Sequence, residues 1–144
     1  MTFHNPDDET LRHIFRSCST IAVVGLSPKP NRPSHGVARA LQRFGYRIIP
    51  VRPAIKEVLG EPAYGKLEAV TEKIDMVDVF RAPEYVDEIV DSCIDLGIRV
   101  LWLQEGVVNE AAAQRARDAG MMVVMDRCTY KDYIRLFAGS SHTE

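Results

Sequence analysis

The sequence predicts an α/β fold: a doubly wound, mainly parallel five-stranded sheet with helices on both faces. Three observations carry that prediction. Five short apolar runs, TIAVVG (20–25), YRIIPV (46–51), MVDVF (76–80), IRVLWL (98–103) and MMVVM (121–125), are near-continuous, as strands buried on both faces are. The segments between most of them have helical period. Strand and helix therefore alternate along the chain, the order that produces a parallel sheet with right-handed crossovers.

Each element follows in turn. Residues 7–17 read as a helix with Leu11, Ile14 and Phe15 on one side. The first strand runs into Gly25. After the loop LSPKPNRPSHG a helix is marked by Val37, Leu41 and Phe44 at i, i+4 and i+7, with Ser34 as its expected N-cap. The connection 52–75, which contains VLGEPAYGKLEAV, is less regular: a short turn, a strand fragment around Tyr64 and a brief helix from about Leu67. Pro83 then suits a first helical turn and Glu84 the positive helix end. Val86, Ile89, Val90, Cys93 and Ile94 form one face, and Gly97 stops the helix. A fourth helix starts at an Asn109 N-cap and ends at Gly120; a last one spans Tyr130 to Phe137.

No repeat or linker interrupts the 144 residues, so the expectation is one domain, 1–144, with 1–18 an N-terminal helical segment and 138–144 a flexible polar tail. An apolar fraction of 46% and a charged fraction of 26% are those of an ordinary soluble protein. Eighteen basic against twenty acidic residues, net −2, lack the basic excess of a dedicated nucleic-acid binder. Cys18, Cys93 and Cys128 are odd in number and widely spaced, neither a disulfide framework nor a zinc pattern, and point to a reducing cytosol. No apolar run approaches the roughly 20 residues of a membrane span, and MTFHNPDDET is too polar for a signal peptide. The expectation is a cytoplasmic protein bound neither to nucleic acid nor to membrane. A protein partner or a second copy of the chain stays open.

In doubly wound sheets, ligands sit beyond the carboxyl ends of the strands, near the reversal of strand order. Here those ends are Gly25 to Ser27, Arg52 and Pro53, Phe80 and Arg81, Gln104 to Gly106, and Asp126 to Cys128. The first loop lacks G-x-G-x-x-G and is longer and stiffer than that fingerprint. Pro28, Pro30 and Pro33 fix φ, Lys29 and Arg32 supply charge, and His35 is a donor when protonated. Helix N–H groups beyond a Ser34 cap would face an anion. The plainer alternative is a proline-rich surface turn.

The second strand of an NAD-binding domain usually ends in Asp or Glu. Arg52 instead suits a phosphorylated ribose, the 2′-phosphate of NADP or the 3′-phosphate of coenzyme A, unless it is simply solvated. Phe80 and Arg81 can pack on an adenine and reach a phosphate; their plainer roles are a core ring and an arginine paired with Glu84 or Glu88. Trp102 reads as half core, while Gln104 and Gly106 offer a polar side chain and bare backbone.

In order, the runs VVG-x-S-x-x-P-x-R-x-S, P-V-x-P, D-V-F-R, W-L-Q-x-G-V and M-x-x-C resemble the small stand-alone CoA-binding proteins. Their fold is similar to the N-terminal CoA-binding domain of the succinyl-CoA synthetase α subunit. The resemblance covers about Thr20 to Tyr130 and implies a Rossmann-like domain whose ligand is coenzyme A or an acyl-CoA. It implies that Gly25, Ser27, Arg32 and Ser34 form a pyrophosphate loop and that Arg52 and Pro53 lie beside the adenosine and its 3′-phosphate. Phe80 and Arg81 would line the adenine and pantetheine path, with Gln104, Gly106 and Val107 on its far side. The family commonly reads P-V-N-P where this chain has Pro50-Val51-Arg52-Pro53. The arginine fits a phosphate better, and can also shift the adenosine or admit another phosphorylated nucleotide.

No catalytic constellation emerges. His4, His13 and His142 lie near the first helix or in the tail, and His35 suits a phosphate contact better than a base. There is no Ser-His-Asp order and no metal-ligand spacing. Asp78 and Asp126 have no partner acid. Cys128, beside Arg127, is either a thiol of lowered pKa able to form a mixed disulfide with CoA or an inert buried side chain. The reading is a non-catalytic CoA-binding module acting as carrier, sensor or regulatory partner. The alternative is an NADP-linked oxidoreductase or acyl-CoA ligase component that needs a partner subunit.

Overall fold

All five expected strands form and pair in parallel. The computed structural model describes residues 3–143. Its elements run α1 (Asp8–Ser17), β1 (Thr20–Val24), α2 (Pro33–Arg43), β2 (Arg47–Val51), β3 (Glu57–Val58), β4 (Glu61–Pro62), β5 (Met76–Val79), α3 (Val86–Leu96), β6 (Val100–Leu103), α4 (Glu110–Asp118), β7 (Met122–Val124) and α5 (Thr129–Phe137). The sheet order is β2-β1-β5-β6-β7. The chain steps outward from β1 to β2, then returns past β1 to begin β5. The strand order therefore reverses between β1 and β5, and a crevice opens beyond their carboxyl ends.

Because side chains alternate across a strand, each central strand feeds two cores. Ala22, Val77, Leu101 and Val123 face α3 and α4; Ile21, Val23, Val100 and Trp102 face α1, α2 and α5. Trp102 is wholly buried, not half core, because its indole N–H finds the Arg127 carbonyl at 2.8 Å. Phe15 of α1 packs on it with ring centroids 5.4 Å apart. Emptying that position would cost about 3–5 kcal/mol.

The helix ends mostly follow their sequence signals. Asp7 accepts from the Thr10 N–H at 2.9 Å and Asn109 from the Ala112 N–H at 3.1 Å. α2 is the exception. It begins at Pro33 with Arg32 in the cap position, so Ser34 lies inside the first turn and caps nothing. Pro33 is the cause: its fixed φ suits the first helical position and its missing N–H costs nothing there.

The irregular connection holds a two-residue hairpin, β3 with β4, turning through Leu59 and Gly60. Beyond it Tyr64 bridges the outer side of β2, its N–H to the Pro50 carbonyl at 3.0 Å and its carbonyl to the Arg52 N–H at 2.8 Å. The brief helix at Leu67 is a single 3-10 turn, Leu67–Ala69. At the opposite edge, the Asn5 amide holds Met125, donating to its carbonyl at 2.9 Å and accepting from its N–H at 2.8 Å. Within the polar tail, of which Glu144 lies outside the described residues, His142 stacks on Tyr46 at 4.4 Å, and its Nδ1 lies 2.8 Å from the Tyr133 hydroxyl. Among the described residues, no helix is long and apolar enough to cross a membrane.

Candidate functional site

The carboxyl ends of β1, β2, β5 and β6 and the start of α5 enclose a cleft of about 1030 Å³. Of the residues expected at the site, Gly25, Ser27, Lys29, Arg32, Ser34, Arg52, Pro53, Phe80, Arg81, Gln104, Gly106 and Val107 all line it. His35 does not. It is buried and turned inward, and its Nδ1 lies 2.9 Å from the Ser27 carbonyl. A carbonyl only accepts, so Nδ1 carries the hydrogen of that bond.

The loop 25–35 is fastened by its own side chains. The Ser27 N–H donates to Ser34 Oγ at 2.9 Å, and the Lys29 N–H donates to Ser27 Oγ at 3.1 Å. Ser34 thus acts as a staple rather than a helix cap. In the first turn of α2 the His35 and Gly36 N–H groups bind the Arg32 carbonyl, which leaves the Ser34 N–H at the helix start. The floor of the crevice is the contact between β1 and β5. A Cβ on Gly25 would overlap the Phe80 carbonyl oxygen, so only glycine lets the two strand ends close.

Lys29, Arg32, Arg52, Arg81 and Lys131 line the cleft against one carboxylate, that of Glu105. Lys131 and Glu105 pair at 3.0 Å. Among the described residues no carboxylate lies within ion-pair distance of Lys29, Arg32, Arg52 or Arg81. Arg52 is steadied by the Gly25 carbonyl at 3.3 Å. Arg81 stacks over the Tyr85 ring at 4.1 Å and does not pair with Glu84 or Glu88. Cations in such number, lining an open cleft and without carboxylate partners among the described residues, make a field for a polyanion.

Under the β5–β6 end lies a closed polar ring. Gln104 Nε2 donates to Asp78 Oδ1 at 2.8 Å and to Thr129 Oγ1 at 2.9 Å, and Thr129 Oγ1 donates to Asp78 Oδ2 at 3.2 Å. Burial pushes the Asp78 carboxyl up to about 7, against the pull of those two donors. Gly106 does not offer its N–H to the cleft, because Asp126 Oδ1 holds it at 2.8 Å.

Cys128 lines the cleft but is not activated. Arg127 is occupied by Asp132, bidentate at 2.6 and 2.7 Å, and burial raises the thiol pKa despite backbone N–H groups at the start of α5. The lowered pKa that Arg127 suggested is thereby overturned. Tyr130, Lys131 and Ile55 also line the cleft and were missed. The strand-end rule applied one turn further, into α5, would have found the first two. Ile55 sits in a loop with no periodic signal.

Fold and cleft define a Rossmann-like α/β domain with a cationic site at its switch point. The chain belongs to the CoA binding domain family, which it matches over residues 19–133. It is 41% identical over 124 residues to the Bacillus subtilis (strain 168) protein YneT, spanning 86% of this chain and 92% of that one. The solved structure of a hypothetical protein from Pyrococcus horikoshii OT3 superposes with a TM-score of 0.87 at 36% identity, covering 94% of this chain and 99% of its own. A dinucleotide-forming acetyl-coenzyme A synthetase 1 from Ca. Korarchaeum cryptofilum gives a TM-score of 0.69 at 25% identity. There 81% of this chain corresponds to 28% of the synthetase.

Proposed function

We propose that the protein binds coenzyme A, free or acylated, across the carboxyl ends of its strands, as a carrier, sensor or regulatory module. The observation that carries this is the set of four unpaired cations around one cleft at the strand-order reversal, in a chain of the CoA binding domain family. Coenzyme A carries two clusters of negative charge, its pyrophosphate and its 3′-phosphate, and the cations fall in two groups to match. Lys29 and Arg32 belong to the stapled loop that leads to the Ser34 N–H, and take the pyrophosphate. Arg52, at the end of β2, takes the 3′-phosphate with its planar fork. The group fits the residues present: Gly25 adds no Cβ to the floor, and among the described residues no carboxylate pairs with Lys29, Arg32, Arg52 or Arg81. Three buried free thiols suit a reducing compartment such as the cytoplasm.

A second reading has one observation in its favour. The acetyl-coenzyme A synthetase carries this fold in about a quarter of its length, so the chain would supply the CoA site of a ligase completed by another subunit.

Calorimetric titration of the ligand-stripped protein with coenzyme A, dephospho-CoA, NADP and NAD tests the proposal. Coenzyme A is expected to bind tightest and to weaken when its 3′-phosphate is removed. A response to NADP with silence toward coenzyme A would overturn it.

A further inference from the structure

The ring formed by Asp78, Gln104 and Thr129 does more than satisfy buried groups. Gln104 is 3% exposed yet lines the cleft. Both hydrogens of its side-chain amide are used, one by Asp78 Oδ1 and one by Thr129 Oγ1. Among the described residues no hydrogen bond to its Oε1 is made. Among the described residues, no fully buried side-chain oxygen or nitrogen lacks a partner, so Oε1 keeps its open side toward the cleft. Turning the amide over would set Oε1 against the Asp78 carboxylate, acceptor against acceptor. With Asp78 ionised, Gln104 can offer the ligand an acceptor and nothing else.

The strand order says which part of a ligand meets it. Arg52 ends β2 on one side of the β1–β5 reversal, and Gln104 ends β6 on the other. A molecule with its 3′-phosphate at Arg52 and its pyrophosphate at the stapled loop sends its remaining arm over β5 to β6. In coenzyme A that arm is pantetheine, which carries two amide N–H groups. We infer that Asp78 and Thr129 are positioning residues that hold Gln104 Oε1 toward the cleft, where it accepts an amide N–H of the pantetheine arm. This rests on the coenzyme A reading above.

Two probes separate the arm from the phosphates: coenzyme A, and adenosine 3′-phosphate 5′-diphosphate, which keeps the 3′-phosphate and the pyrophosphate and lacks pantetheine. Both are titrated at pH 8 into the wild type, Gln104→Met, Asp78→Asn, Thr129→Val and Thr129→Ser. Loss of one neutral hydrogen bond should weaken coenzyme A roughly fivefold to tenfold in the first three variants and leave the diphosphate probe unchanged. Thr129→Ser keeps the hydroxyl and should bind both as the wild type does. Unchanged coenzyme A binding in Gln104→Met overturns the inference, as does parallel weakening of both ligands, which would report a distorted strand end. If Asp78→Asn does not fold, the contrast between Thr129→Val and Thr129→Ser decides in its place. A wild type that binds the diphosphate probe as tightly as coenzyme A overturns this inference and leaves the phosphate assignments standing. A wild type that binds neither overturns both.

Discussion

Gly25 and Phe80 meet where the strand order reverses, and neither strand end could approach the other if residue 25 had a side chain. The Gly25 φ of +89° is strained for any other residue, and an added Cβ would overlap the backbone carbonyl of Phe80, with Arg81 Cδ a further 3.1 Å contact. Backbone cannot swing aside as a flexible side chain does.

Gly25→Ala should therefore destabilise the fold by about 2–4 kcal/mol, through overlap and left-handed strain together. Gly45→Ala is the control. Its φ is +105° but open space surrounds the site, so it carries the conformational cost alone, about 1–2 kcal/mol. Urea melts of the two variants measure the difference, and equal losses would mean the contact with Phe80 relaxes freely.

Arg52→Ala should weaken coenzyme A by about 10- to 100-fold, the range for a lost charge-assisted contact, and dephospho-CoA by less than about threefold. Titration calorimetry on both ligands gives the ratio. Equal weakening would show that Arg52 acts through the general field of the cleft and not on the 3′-phosphate.

Asp78 predicts an inverted pH dependence. Its carboxyl titrates near 7 in the fold against an ordinary value of 3.8, so the native state holds more protons than the unfolded state between those limits. Its contribution to stability is full below about pH 3.8 and is lost as pH rises toward 7. Asp78→Asn should lose this term, so the wild type minus variant difference in unfolding free energy should fall as pH rises from 4 to 7. A flat difference would mean that the donors of Gln104 and Thr129 outweigh burial.

Cysteine labelling gives a fourth test. All three thiols are buried, and burial raises each pKa, that of Cys18 to about 11 and that of Cys93 to about 12. Only Cys128 lines the cleft. Iodoacetamide at pH 8 should modify Cys128 first, more slowly than a free cysteine, and saturating coenzyme A should slow it further. Fast labelling of Cys93 would contradict the packing of α3.

The strands and the main cations of the site were legible because their signals are local. A four-residue apolar run marks β6, a run broken only by Asp78 marks β5, and strand ends mark Arg52 and Arg81. What was not legible depends on residues far apart. Ser34 looked like a cap until Pro33 took the first helical position, and His35 looked like a ligand until the Ser27 carbonyl claimed it. Nothing local ties Asp78 to Gln104 and Thr129, 26 and 51 residues away. Tyr130 and Lys131 reach the cleft only because β7 lies beside β6 and α5 starts above it.

Tyr64 on β2 and Asn5 beside β7 have a consequence for how molecules of this protein meet one another. An open sheet has two rims of unused peptide groups, and a bare rim invites a neighbouring chain to add itself as the next strand. Tyr64 occupies such groups at one rim with a single residue, and the Asn5 side chain imitates a strand at the end of the other. Neither adds much area to the core. Both take sites from which fibre-like stacking would grow, so a concentrated solution of the folded protein is guarded at both rims by two residues.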